Sequence, residues 1–387
     1  MTDSKSTSTL TLKVMKAKHG PVAIQTDFDY NSPCEKLDRL LEASSSDDDT
    51  SPSSPYSGTP EQDGSTSSRR CIEVRTHSEG CGAVKRCPTP RMAPIKSRSN
   101  SVDLDPTVRY QIISEIRKSL FGTVVHAWDT IRHQDVAIKL SNTDLALAGV
   151  CLTGYSVMEN PLSEAVLLKE LPAHPFIVSL RREHIVDNVH WAVMEYMPNG
   201  DLFEHLLHSI CLTPRAARTY VRQIAQALLH LHSHKVCHLD VSLENVLLDL
   251  RANVKLTDFG VARSFAHQDS SVFPGIDGPE KPGKVRYMAP EMLAGKSFDG
   301  CLVDSFALGV IMFCLLVGSA PFERARIKDT RWQFVATGNF AGLFEYLGVP
   351  SPSASAVDLL KGLLTTADKR LTMAAVLRHP WFSERLV

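Results

Sequence analysis

The sequence predicts an α+β fold of two lobes, a small β-rich N-lobe with one main helix and a larger, mostly helical C-lobe. Two observations predict it. Between about Pro106 and Glu195, short apolar runs alternate in the manner of strands and are interrupted by a helical stretch near Pro161. Beyond about residue 200 the longer period of helices takes over. A sheet-rich unit followed by a helical unit leaves a cleft between two lobes, about 106 to 195 and about 200 to 387.

In order, Tyr110 to Ile116, Gly122 to Asp129 and Asp135 to Leu140 read as strands, the third ending in Val136-Ala137-Ile138-Lys139. Pro161 suits the first turn of a helix that carries Glu164. Strands follow at Ile177 to Glu183 and His190 to Glu195, then helices at 201–209, 214–234, 304–317, 355–364 and 372–378. The most apolar run, Phe306 to Gly318, falls short of the roughly 18 residues a membrane-spanning helix needs and reads as a core helix. No membrane span is expected.

Residues 1 to 105 are rich in Ser, Thr, Pro and acidic clusters, and cannot bury enough apolar surface to offset their conformational entropy. A disordered regulatory tail is expected. Within it Leu37, Leu40 and Leu41 share a helical face, either a transient helix or a docking segment. Ser32, Ser51, Ser54, Thr59 and Thr89 precede Pro, and Ser101 follows a basic stretch of the kind phosphoserine-reading adaptors bind, so phosphorylation is expected here. The formal net charge of -1 gives no electrostatic reason to expect nucleic acid. Nine scattered Cys without a C-x-x-C pair read as reduced thiols in a cytoplasmic compartment, with the nucleus left open. The N-terminus lacks the apolar stretch of a secretory signal.

The chemistry concentrates at residues 238–245. Asp240 and Asn245 lie five positions apart, and Asp258-Phe259-Gly260 begins thirteen residues after the Asn. That spacing would set a proton acceptor and two metal-binding side chains around one phosphoryl group.

Through an ordered series of motifs, residues 106 to 387 resemble a eukaryotic protein kinase domain. The series is VAIK (136–139), Glu164, MEYMPNGDL (194–202), HLDVSLEN (238–245), DFG (258–260), APE (289–291), DSFALG (304–309) and Arg370. The helical end most resembles calcium/calmodulin-dependent-like Ser/Thr kinases. The resemblance implies ATP and Mg²⁺. It implies Lys139 on the α- and β-phosphates, fixed by Glu164, with Asp258 and Asn245 as Mg²⁺ ligands and Asp240 as the base for the substrate hydroxyl. It places Val124, Ala137 and Leu247 around adenine, Glu195 and Met197 at its edge, Asp201 at the ribose, and Glu291 with Arg370 as a supporting ion pair.

Several positions depart from the family pattern. In the phosphate-covering loop, aligned on Gly122 and Val124, Arg117 and Ser119 replace two glycines whose backbone would approach phosphates. Arg117 and Lys118 either compensate by charge or are solvated. Leu239 replaces the Arg that pairs with a phosphorylated activation segment. Ser242 replaces the usual Lys, and Lys284 stands where Ser/Thr kinases usually carry a Thr. Two readings of Lys284 stay open: its ammonium restores the lost charge at the γ-phosphate, or it faces solvent.

The expected function is an ATP-dependent Ser/Thr protein kinase, with Glu244 and Asp201 placed to prefer basic residues upstream of the target hydroxyl. The alternative is a pseudokinase scaffold, favoured by the altered glycine loop and Ser242. The chain ends five residues beyond Phe382, so no calmodulin-binding helix is expected there, and control falls to the tail or to the loop carrying Ser270 and Ser271.

Overall fold

A computed structural model of the chain describes residues 105–209, 211–266, 270–276 and 281–384. The expectations for residues 1–104, including the leucine-faced helix, the Pro-directed sites and Ser101, lie outside the described residues.

The N-lobe is a five-stranded antiparallel sheet with one main helix. Its strands are β1 (Tyr110–Ser119), β2 (Gly122–Asp129), β3 (Gln134–Asn142), β4 (Leu180–Val186) and β5 (Val189–Glu195), in the order β1-β2-β3-β5-β4, and helix α1 spans Pro161–Glu170. Alternation along the strands sorts the side chains. Val125, Ala127, Val136, Ile138, Trp191 and Val193 bury together with Tyr110, each large one contributing about 1.5–3 kcal/mol. The other face of the pleat presents Val124, Ala137 and Lys139 to the cleft.

The C-lobe packs around α4 (Gly300–Val317), preceded by α2 (Leu202–Ser209), α3 (Pro214–Ser233) and the hairpin β6 (Val246–Leu248)–β7 (Val254–Leu256), and followed by α5 (Ala354–Leu363) and α6 (Met373–Leu377). Ala217, Tyr220, Val221, Ile224, Leu228 and Leu231 of α3 form the buried stripe of a 3.6-residue period.

Two sequence expectations need correction. The fourth strand begins at Leu180 rather than Ile177, and Ile177 makes a single parallel bridge to Leu256. Its register is set by the two-residue turn Asp187-Asn188, both in the left-handed region (φ 49° and 61°), the conformation that hairpin turns use. Helix α4 begins at Gly300, one turn earlier than expected, because the Asp299 carboxylate accepts from the Cys301 and Leu302 amides. At 18 residues it is long and apolar enough to cross a membrane. Its burial within the lobe, and not the shortness expected of it, makes it a core helix. Short helices at Thr143–Ala148, Thr330–Ala336 and Phe340–Tyr346 were not expected, being too short to show a period, though each is capped by an Asn or Asp.

Candidate active site

The loop 238–245 is fixed from beneath by α4. Asp304 accepts from the backbone amides of His238 (2.9 Å) and Leu239 (2.8 Å). Leu239 needs that hold, since its φ of 63° lies in a region that costs an ordinary residue about 1–2 kcal/mol. A hydrogen bond to a charged group contributes about 1.5–3 kcal/mol, so the two together outweigh the strain. The Leu239 side chain joins the C-lobe core. The His238 Nε2–H donates to the Thr257 carbonyl (3.0 Å), leaving Nδ1 to accept from the Asp240 amide (3.3 Å).

Asp240 therefore enters the cleft from a fixed backbone, and its carboxylate is held on both oxygens. Oδ1 accepts from the Lys284 amide (2.9 Å), and Oδ2 accepts from Asn245 Nδ2 (2.7 Å) and Lys284 Nζ (3.1 Å). The same ammonium donates to Ser242 Oγ (3.0 Å). Lys284 reaches this place because Gly283 precedes it. Gly283 has φ +85°, and a Cβ there would meet the Leu239 carbonyl oxygen at 2.4 Å. Burial opposes the Lys284 charge, but Asp240, Glu244 and Asp258 outweigh it and raise its pKa.

Across the cleft, Lys139 is 5% exposed and makes three ionic contacts, to Glu164 Oε2 (2.8 Å), Asp258 Oδ1 (3.1 Å) and Glu159 Oε1 (3.3 Å). Burial works against its ammonium, yet Asp258, Glu164 and Glu159 together hold its pKa well above the ordinary lysine value. Burial likewise opposes the Asp258 charge, and Lys139, Arg117 and Lys284 overcome it and lower its pKa. Glu164 also accepts from the Phe259 amide through Oε1 (3.0 Å), so one side chain couples α1, β3 and the Asp258 turn. A second coupling runs from the Asn160 amide, at the α1 cap, to the Gly260 carbonyl (2.8 Å).

These groups line one cleft of about 1010 Å³. Lys139, Glu164, Asp240, Asn245, Asp258 and Lys284 meet at one end, and Val124, Ala137, Glu195, Met197 and Leu247 wall the other. Gly122 is not among the lining residues. A Cβ on it would meet the Leu140 carbonyl oxygen at 2.0 Å, so a glycine is required where β2 closely approaches β3. Asp201 lines the cleft while its Oδ1 accepts from the Glu204 amide (2.8 Å) at the start of α2. Burial pushes its carboxyl up to about 6. Arg117 approaches Asp258 at 4.0 Å with its side chain 43% exposed, a contact that solvent weakens. Glu291 and Arg370 form a two-pronged ion pair (2.6 and 3.1 Å).

One participant lies outside sequence reasoning. Glu159 belongs to no motif, and it reaches Lys139 only because Gly260 leaves room: a Cβ there would meet Glu159 Cγ at 2.3 Å. Glu244, an expected acidic contact, lines the cleft and accepts from the Tyr287 hydroxyl through Oε2 (3.4 Å), while its buried Oε1 has no hydrogen-bond partner among the described residues.

The oxygen chemistry of Asp258 and Asn245 fits Mg²⁺. With Nδ2 committed to Asp240, the side-chain carbonyl oxygen of Asn245 is the atom left for a cation. Mg²⁺ is commonly held by one or two carboxylates together with substrate phosphates, a role this pair of oxygen donors suits. Compared with known families, the chain matches the model of the protein kinase domain over residues 110–382.

Proposed function

The chain belongs to the protein kinase family, and from that premise we propose that it transfers the γ-phosphate of ATP to Ser or Thr hydroxyls of proteins. The observation that carries this reading is the Lys284 ammonium resting on both Asp240 and Ser242. The charge that the catalytic loop lost at Ser242 is thereby returned to the same spot from the segment before APE.

In this reading Lys139 holds the α- and β-phosphates, and Glu164, its shortest ionic contact at 2.8 Å, fixes the ammonium. Asp258 and the Asn245 carbonyl oxygen would hold Mg²⁺, which would supply charge neutralisation on the phosphates. Asp240 accepts the proton of the incoming hydroxyl, and Asn245 and Lys284 fix the orientation of its carboxylate. Lys284 stabilises charge as it develops on the transferred group, from a position set in advance. Glu244 and Asp201, both lining the cleft, favour a basic residue upstream of the target.

The full chain with Mg-ATP is incubated with peptides bearing Ser, Thr or Tyr, with and without an upstream Arg, beside Asp240→Asn. Transfer to Ser and Thr, greater with Arg, is expected. No transfer above the Asp240→Asn control while ATP still binds refutes the proposal and leaves a nucleotide-binding scaffold.

A further inference from the structure

Beneath the catalytic loop lies a cluster that the phosphoryl-transfer reading does not use. Cys237, the residue before His238, is fully buried, and its Sγ lies 3.6 Å from Sγ of Cys301 in the first turn of α4. The two are 64 positions apart in sequence. Gly300 brings them together: a Cβ on it would meet Cys237 Sγ at 2.7 Å and Phe273 Cε2 at 2.7 Å, so no other residue lets α4 start this close to Cys237. Cys301 is partly exposed, while Cys237 is not. His232 stands beside the pair, with its Nε2 on Asp304 Oδ2 at 2.9 Å.

We propose that Cys301 and Cys237 form an oxidation site, in which a hydroperoxide oxidises Cys301 and Cys237 closes the pair to a disulfide. The Cys301 thiolate attacks one oxygen of hydrogen peroxide. An S–O bond forms, the O–O bond breaks, and hydroxide leaves, so sulfur gives up two electrons to the peroxide. The Cys237 sulfur then attacks the sulfur of the Cys301 sulfenic acid. The S–S bond forms, the S–O bond breaks, and the departing hydroxide takes the Cys237 proton as water. Bond formation needs the sulfurs to approach by about 1.5 Å, to the 2.05 Å of a disulfide.

The division of roles follows from the surroundings. The partly exposed Cys301 is the member that can meet the oxidant, and the buried Cys237 can only resolve it. Electrostatics point the same way. Hydrogen bonding from Cys237, aided against burial by His232, lowers the Cys301 thiol to about 6, while the neighbouring sulfur and burial push Cys237 up. The site also touches the loop, because Asp304, which holds the His238 and Leu239 amides, is the carboxylate that His232 shares.

The full chain is reduced, desalted, treated with a few equivalents of hydrogen peroxide, blocked with an alkylating agent and digested without reductant. A peptide linking Cys237 to Cys301 is expected in the mass spectrum, and dithiothreitol should abolish it. Cys301→Ser should give no such link. Cys237→Ser should instead accumulate a sulfenic acid on Cys301, trapped by dimedone. Melting curves matching the parent establish that both variants fold. Absence of the linked peptide from the oxidised parent overturns the proposal, as does dimedone labelling of Cys237 rather than Cys301 in the parent.

Discussion

Replacing Lys284 by Met tests the exchanged lysine directly, since it keeps the length and apolar stem of the side chain and removes only the ammonium. Two contacts disappear, at 3.1 Å to Asp240 and 3.0 Å to Ser242. In the resting protein the loss is small: the side chain is 32% exposed, and an ion pair so placed contributes about 1 kcal/mol or less. The transition state weighs more. A preorganised charge or donor facing the transferred group is worth about 2.7–4 kcal/mol, and the partial exposure argues for the lower end, a fall of about 100-fold in kcat. Because that interaction strengthens only as charge develops, KM for ATP should change by less than about threefold. The assay is steady-state phosphate transfer to a Ser peptide, with melting temperature as the folding control. A second arm exploits the exchange: Lys284→Thr combined with Ser242→Lys should recover at least about tenfold over Lys284→Thr alone. A Lys284→Met enzyme within threefold of the parent kcat refutes the reasoning.

Gly283→Ala places a Cβ at φ +85° and 2.4 Å from the Leu239 carbonyl, so a loss of at least about 1–2 kcal/mol in urea unfolding is expected, with kcat falling as Lys284 is displaced. Arg370→Ala leaves Glu291 without its two-pronged partner, and the broken buried pair should cost about 3–5 kcal/mol, read from the urea midpoint. Asp201 carries a pH signature. Its folded pKa of about 6 lies above the ordinary 3.8, so the folded state binds that proton more tightly, and the stability it brings is full below about pH 4 and lost as pH rises through 6. Asp201→Asn keeps an acceptor for the Glu204 amide. It should therefore melt above the parent at pH 7.5, with the difference closing near pH 4.

Much of the fold was legible because the sheet obeys its period: β2 was bounded by Gly122 and Asp129 from the sequence alone. The fourth strand slipped because its register is set downstream, by Asp187 and Asn188 in left-handed conformation, and not by its own apolar residues. At the site, Lys139, Glu164, Asp240, Asn245 and Asp258 line one cleft, while Gly122 sits where β2 approaches β3, a place where a glycine answers to backbone crowding as readily as to a ligand. Glu159 was illegible for a different reason. It acts across a tertiary contact that depends on the missing side chain of Gly260, and nothing in the local sequence of 149–160 marks it.

Leu239 then acquires a physical meaning beyond a missing arginine. An arginine at that position would carry a charge needing a partner, and a phosphorylated activation segment is the partner the family resemblance supplies. Here the side chain is apolar and buried in the C-lobe core, and the strained backbone beneath Asp240 is held by Asp304 on one side and closely approached by Gly283, where no side chain fits, on the other. Asp240 is thus positioned by groups internal to the fold, with no unsatisfied charge at Leu239 waiting for a phosphate. The Cys237–Cys301 pair, adjoining both His238 and the start of α4, is placed among those internal supports.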